Sequence, residues 1–505
     1  MFENRSFDHL LGRLHQPGEV ASFEGVLGKD LSNPIPEWAE HGADRGVVPY
    51  GIATNMNTPY PDPGEEYPHI NTQLFGGIDP PSNRGVSAER MIAPYNLPAD
   101  PGQSPTMSGF VTDYISAFTA EMGRQPTYDE YSQIMTGYTP EQMPVLSTLA
   151  RGFATFDHWF ADVPSQTFTN RSFFHAATSS GLLVNAPYAN FPTHNTAETL
   201  FNRLEAHDLT WRIYCDPPSH YSLTGVIHAA RLRDRFATHF FSTDQFFDDA
   251  HNGQLPTYAF IEPQIIGHGH NDMHPAFGML TPGLNWDPPS SLIAGEDLLA
   301  RIYQAIRSAS SPTGSNYLNT LFMVVFDEHG GTYDHVPPPA ATPPDPNGPP
   351  GQMGFTFNRL GVRLPAIAIS PWIPEQTVVN AHYRNTSMIR TMRERWNLGQ
   401  PLTARDADAA DIGPVLTLDQ PRPPEDWPDI APLPVPDFTE PLIPLNQPLT
   451  PLAQALVMGC HALTRQLGQT VPPINDPAAL TGAEGLAIMH ETAHRLWPNL
   501  HPTST

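Results

Sequence analysis

Leu321-Phe322-Met323-Val324-Val325-Phe326-Asp327-Glu328-His329-Gly330-Gly331-Thr332-Tyr333-Asp334-His335 is the stretch on which the fold turns. Its first part is an unbroken apolar, β-prone run, the pattern of a buried parallel strand. Asp327 and Glu328 stand where that strand ends, and a Gly-Gly turn follows directly. In open α/β sheets, ligands bind at the carboxyl ends of the strands. Adjacent carboxylates repel unless a cation or a proton holds them, so the pair points to a hard metal ion. A second acidic pair, Asp334-His335, comes a few residues later. The plainer reading is a solvated turn after a strand. Acidic turns are common, but Asp, Glu, His, Asp and His framing Gly-Gly are not.

Three other stretches carry related chemistry. Glu3-Asn4-Arg5-Ser6-Phe7-Asp8-His9 sets a carboxylate beside an amide oxygen, both ligands for a hard cation. Arg5 can fork onto a phosphate or pair with Asp8. Thr167-Phe168-Thr169-Asn170-Arg171 follows the loop Asp162–Gln166 and opens a helix predicted to run to Gly181. A hydroxyl at a helix N-terminus sits among free N–H groups, a good place for a phosphate and for a nucleophile attacking it. Capping the helix is the commoner role for such a threonine. Ile261-Glu262-Pro263 closes the strand-like Pro256–Phe260, and His268, His270, Asn271, Asp272, His274 and Pro275 follow.

Together these motifs, and Leu360–Trp372 after them, resemble in content and order the bacterial phosphoesterases. These are the non-haemolytic phospholipases C and related acid phosphatases. The resemblance runs from residue 1 to about 395. It implies an α/β fold: an alkaline-phosphatase-like, mostly parallel central sheet flanked by helices, with long loop insertions. It implies hydrolysis of a small phosphate ester or a phospholipid through a phosphorylated Thr167. Glu3, Asn4, Asp327 and Glu328 would then hold a divalent metal ion, with Thr167 completing the site. Asn170, Arg171 and Asp334 would bind the phosphate. His274 is the first choice for proton transfer and His335 the second.

The sequence departs from that pattern at three places. It begins at Met1-Phe2-Glu3, inside the first motif, where relatives place an apolar strand, so coding sequence upstream is expected. Glu65 stands where many relatives have histidine after Asp-Pro-Gly, with His69 close by. Asn385 replaces the histidine of Asp-His-Thr-Ser, with His382 nearby as a substitute. These changes favour one alternative, a catalytically silent relative that binds a phosphorylated ligand.

A second alternative comes from His490-Glu491-Thr492-Ala493-His494, the zincin arrangement on a helix. A catalytic zinc needs a third protein ligand, and the metzincin extension fails: Trp497 and Leu500 stand where Gly and His are required. Plain helix packing is the stronger reading.

Composition bounds the rest. Lys+Arg 26 against Asp+Glu 52 gives a net charge of -26, which disfavours nucleic acid and anionic bilayers as partners. A zwitterionic lipid or a small phosphate ester is compatible with it. Charged residues are only 15% and prolines number 58, which predicts extended loops over long surface helices. Cys215 and Cys460 make no disulfide framework and read as buried thiols. No stretch is apolar for long enough to span a bilayer, and no signal peptide is present. The resemblance leans toward an exported protein. Residues 1–398 are expected to form the catalytic domain, 399–450 a Pro-rich linker, and 451–505 a helical extension.

Overall fold

The computed structural model describes residues 1–500 except 101, 188, 217–221, 266–269, 276–290, 436–448, 450, 467–470 and 472. Two sheets form its centre. In one, β1 (Ala154–Phe156), β5 (Phe322–Val325), β6 (Ala366–Ile369) and β7 (Thr377–Val379) lie in the order β5-β6-β1-β7. In the other, β2 (Trp211–Cys215), β3 (Phe240–Ser242) and β4 (Tyr258–Glu262) lie in the order β3-β2-β4 and are parallel throughout.

The α/β class expected from the sequence stands. One detail of the strand reading does not: β5 pairs with β6 antiparallel, Val325 opposite Ala366. An apolar run records burial on both faces, not the direction of the neighbouring strand, so it could not tell the two apart. The parallel neighbour of this segment is the first stretch of the chain, for Phe2 forms a parallel bridge with Phe326. The Phe2 N–H donates to the Val325 carbonyl at 2.9 Å, and the Asp327 N–H donates to the Phe2 carbonyl at 3.1 Å. Residues 1–3 thus run between β4 and β5, the edges of the two sheets, beside a cavity of about 910 Å³ with a largely apolar lining.

Helices cover the sheets. α3 (Pro144–Gly152) leads into β1, and α5 (Ser291–Ser308) leads toward β5. Glu296 on α5 caps α3, accepting the N–H groups of Val145 at 2.9 Å and Leu146 at 2.7 Å. α4 (Thr167–Ala176) is wholly buried and stops five residues short of Gly181, because Ala177 turns left-handed (φ 55°). The insertion after the first motif builds a smaller core of its own. There α1 (Tyr67–Phe75) packs on α2 (Phe110–Met122) through Ile70, Leu74, Phe110 and Tyr114.

At the far end, α6 (Ser387–Trp396) precedes the Pro-rich segment, whose Trp427 is buried edge-on against Phe153 at 5.1 Å between ring centroids. α7 (Pro451–Gln466) and α8 (Gly482–Leu496) follow, within the expected helical extension. They share the main core, and Trp497 is fully buried against Phe236 and Phe240 beside β3. Cys215 and Cys460 are free and buried.

Candidate active site

At the end of β5 the chain turns Asp327 and Glu328 inward, and both are fully buried. Asp327 Oδ1 accepts the N–H of Asn4 at 3.1 Å and that of Glu328 at 2.7 Å. Glu328 Oε2 accepts the Gly330 N–H at 2.6 Å. Gly330 lies at φ 58°, and a Cβ there would stand 2.3 Å from the Asn4 carbonyl oxygen. Only glycine lets the turn approach the first motif this closely. Asn4 is itself left-handed, at φ 56°. That conformation is rare for a residue with a side chain and concentrates at functional sites.

Thr167 arrives from the opposite side. It is the first residue of α4, after the cap Gln166, and its Oγ1 donates to Glu3 Oε2 at 3.2 Å. The structure therefore gathers Glu3, Asn4, Thr167, Asp327 and Glu328, as the sequence predicts. His274 joins them, with Nε2 2.9 Å from Asn4 Nδ2. Its Nδ1 lies 2.7 Å from the Pro275 carbonyl, which can only accept, so the proton sits on Nδ1 and Nε2 is an acceptor. Burial lowers the His274 ring to about 4, so it is neutral.

The residues expected to bind phosphate make the following contacts within the protein. Asn170 accepts the Val163 N–H at 3.0 Å and donates to the carbonyls of Val163 at 3.1 Å and Ser165 at 2.6 Å, which fastens the loop leading into Thr167. Arg171 is buried among carboxylates: it pairs with Glu3 and approaches Asp327 Oδ2 at 3.5 Å and Glu262 Oε1 at 3.8 Å. Glu262, of the Ile-Glu-Pro motif, is held by Ser222 Oγ at 2.5 Å and by the Thr224 N–H at 2.8 Å. Asp334 bonds Arg363 Nε at 3.1 Å. His335 lies between Asp8 Oδ2 at 2.6 Å and Glu24 Oε1 at 2.8 Å. Neither Asp334 nor His335 touches Thr167 or Glu3 among the described contacts.

The residues at the departures are also placed. Glu65 accepts from Asn4 Nδ2, at the centre of the site. His69 pairs instead with Asp113 Oδ1 at 2.8 Å. Asn385 donates to the carbonyls of Phe326 at 3.1 Å and Asp327 at 3.0 Å, pinning the end of β5. His382 stacks on His158, 5.3 Å between centroids, and does not take that place. His268 lies outside the described residues. Sequence reasoning noticed Glu65 only as a lost imidazole, and missed Arg171 as a counter-ion because its three partners are scattered along the chain.

Burial and mutual repulsion shape the electrostatics of the pocket. Burial pushes the Glu328 carboxyl well above its ordinary range, and Glu65 and Asp327 add to the push. Burial raises Glu3 as well, against the pull of Arg171. Asn4 Oδ1, Asp327 Oδ2 and Glu328 Oε1 are buried acceptors with no hydrogen-bond partner. Orphaned oxygen acceptors amid crowded carboxylates fit a hard divalent cation. Among the described residues, the groups of three whose ligand atoms all lie within 4.8 Å of one another are Asp62-Glu65-His274 and Asp8-Asp334-His335. The side chain of His490, the first histidine of the His-Glu-x-x-His motif on α8, lies outside those described. Glu491 on that helix is exposed and pairs with Arg495, while Met489, Thr492 and Leu496 are buried, as plain packing requires.

Likeness to known proteins makes this chain a hydrolase of phosphoric esters. Residues 1–399 match the Phosphoesterase family, and the chain belongs to that family. Non-specific phospholipase C3 of Arabidopsis thaliana is 31% identical over 437 residues, 83% of this chain and 73% of that protein. The non-hemolytic phospholipase C of Pseudomonas aeruginosa is 24% identical over 443 residues, 79% of this chain and 54% of that one. A solved protein of the alkaline phosphatase superfamily from Vibrio parahaemolyticus covers 53% of this chain and 64% of its own, with 11% identity and a TM-score of 0.33, too low to carry a conclusion. No described helix is long and apolar enough to cross a membrane.

Proposed function

We propose that the protein hydrolyses a phosphate ester of the phospholipase C or acid phosphatase type, with a divalent metal ion and a phospho-threonine intermediate at Thr167. The observation that carries this reading is the Thr167 hydroxyl, at the start of a buried helix and 3.2 Å from Glu3 Oε2. Glu3, Asn4, Asp327 and Glu328 would hold the metal, with Thr167 completing the set. Such an ion lowers the pKa of a nearby hydroxyl and draws charge from a phosphoryl oxygen.

The chain's own residues do the rest. Thr167 Oγ1 hands its proton to Glu3 Oε2 and attacks phosphorus; the bond to the leaving oxygen breaks as the Thr167 O–P bond forms, that oxygen takes a proton from solvent to leave as the alcohol, and Glu3 returns its proton to Oγ1 when the intermediate is hydrolysed. His274 transfers protons. Its Nε2, an acceptor in the neutral ring, takes one from the water that then attacks phosphorus and frees Thr167. Arg171 keeps Glu3 and Asp327 in place, and Asn170 and Asp334 would help bind the phosphate. Asn385, which cannot titrate, anchors the strand end.

Phospholipid and small-ester substrates divide on one assay. Hydrolysis of p-nitrophenyl phosphate and of p-nitrophenylphosphorylcholine is measured with divalent cations, beside Thr167→Ala. The expected result is metal-dependent turnover that falls at least roughly a thousandfold in the variant. Turnover surviving Thr167→Ala overturns the mechanism. A folded, metal-loaded protein inert on both esters favours the silent binding relative.

A further inference from the structure

The Asn4 side chain is gripped at one end only. Its Nδ2 donates to Glu65 Oε2 and lies 2.9 Å from His274 Nε2, while its Oδ1 is buried with no hydrogen-bond partner. Glu65 Oε2 accepts one of these bonds, and His274 Nε2 can only accept, because the Pro275 carbonyl, 2.7 Å from Nδ1, keeps the ring proton on the far nitrogen. An amide turned the other way would set its oxygen against the His274 acceptor. Its orientation is therefore fixed by chemistry, with NH2 toward Glu65 and His274 and carbonyl away from them.

The backbone of Asn4 is fixed as tightly. Its N–H donates to Asp327 Oδ1 at 3.1 Å, and its carbonyl lies against Gly330 in the left-handed turn that follows Glu328. Main chain and side chain together leave Oδ1 one buried direction, and it finds no donor there. Side chains that reach past a metal ligand to lock its orientation are a recurrent feature of metal sites, and their loss costs 10–100-fold in affinity.

We propose that Glu65 is a positioning residue of the metal centre: it holds the Asn4 amide so that the carbonyl oxygen is presented to the cation. This rests on the metal-site reading above. It gives Glu65 a role that does not depend on replacing an imidazole, since either side chain can accept from the same NH2 group. It also makes Glu65 and Asn4 a coupled pair, not two independent contributors.

The test is a double-mutant cycle read by calorimetry of Mn2+ binding, with Glu65→Ala and Asn4→Asp singly and together. In the wild-type background Glu65→Ala is expected to weaken Mn2+ binding by roughly 10–100-fold. Glu65→Gln, whose amide oxygen still accepts, recovers most of that loss. In the Asn4→Asp background there is no NH2 to hold, so Glu65→Ala weakens binding no further. Equal weakening in both backgrounds overturns the proposal, as does a Glu65→Ala protein that binds Mn2+ like the wild type.

A second readout needs no metal. In asparagine-labelled protein the Asn4 side-chain NH2 exchanges slowly, and Glu65→Ala speeds it by roughly tenfold or more. Slow NH2 exchange lost in Glu65→Ala, in a protein that binds no divalent cation, sinks the metal-site reading while the grip on Asn4 stands. Fast NH2 exchange in the wild type overturns the grip itself.

Discussion

Replacing Arg171 by methionine tests the electrostatic logic of the site. The guanidinium is 1% exposed and lies among three buried carboxylates, 3.5 Å from Asp327 Oδ2 and 3.8 Å from Glu262 Oε1, besides its pair with Glu3. At 3.5 Å and an effective dielectric constant of about 20, one such attraction is worth roughly 5 kcal/mol before desolvation is charged against it. Removing one partner of a buried ion pair costs about 3–5 kcal/mol, because the other charge is left uncompensated. Arg171→Met should lose that much in denaturant unfolding without metal. A divalent cation at 100 times its dissociation constant stabilises a folded protein by about 2.7 kcal/mol. In the variant the gain should be larger still, since the cation no longer competes with the guanidinium for Glu3 and Asp327. The assay is guanidinium unfolding of both proteins with and without saturating Mn2+. A variant as stable as the wild type without metal, or one that gains no more from Mn2+ than the wild type does, refutes the reasoning.

Other expectations are as specific. Gly330→Ala should cost at least roughly 1–2 kcal/mol in unfolding and most of the activity, because a left-handed residue acquires a Cβ that meets the Asn4 carbonyl. Burial raises the folded-state Glu296 carboxyl to about 7 from an ordinary 4.5, so its contribution is fully present below about pH 4.5 and is lost as pH rises through 7. Across that window Glu296→Gln should gain up to roughly 3 kcal/mol on the wild type in unfolding curves; parallel curves would disprove it. Trp497→Ala should cost about 3–5 kcal/mol and expose α7 and α8 to protease, since the ring fills the core beside Phe236 and Phe240.

What was legible in the sequence was local. Asp327 and Glu328 follow an apolar strand and precede glycines, and Thr167 opens a helix after a polar loop, so those residues declared themselves. The two closing helices were visible in their periodicity. What depended on distant neighbours was not. The direction of β6 beside β5 leaves no mark on an apolar run. The resemblance implies a phosphate-binding role for Asn170 and Arg171, but their protein partners could not be read from it. Their partners, Val163 and Ser165 for one and Glu3, Asp327 and Glu262 for the other, appear only once the chain is folded. Asp334 and His335 read as part of the acidic cluster, yet the turn between them and Glu328 carries them to Asp8 and Arg363.

That last partnership has a consequence for synthesis. Asp8 Oδ1 accepts from Arg363 Nη2 at 2.7 Å, across a separation of 355 residues. At about 5–20 residues per second, translation delivers the arginine roughly 20–70 s after the aspartate. Until then Asp8 hangs from a nascent chain whose counter-charge has not been made, although Arg171 reaches Glu3 after only 168 residues. Asp8 must stay solvated and uncommitted for that interval. Ribosome-bound chains halted before and after residue 363 should therefore differ sharply in protease resistance at the first motif.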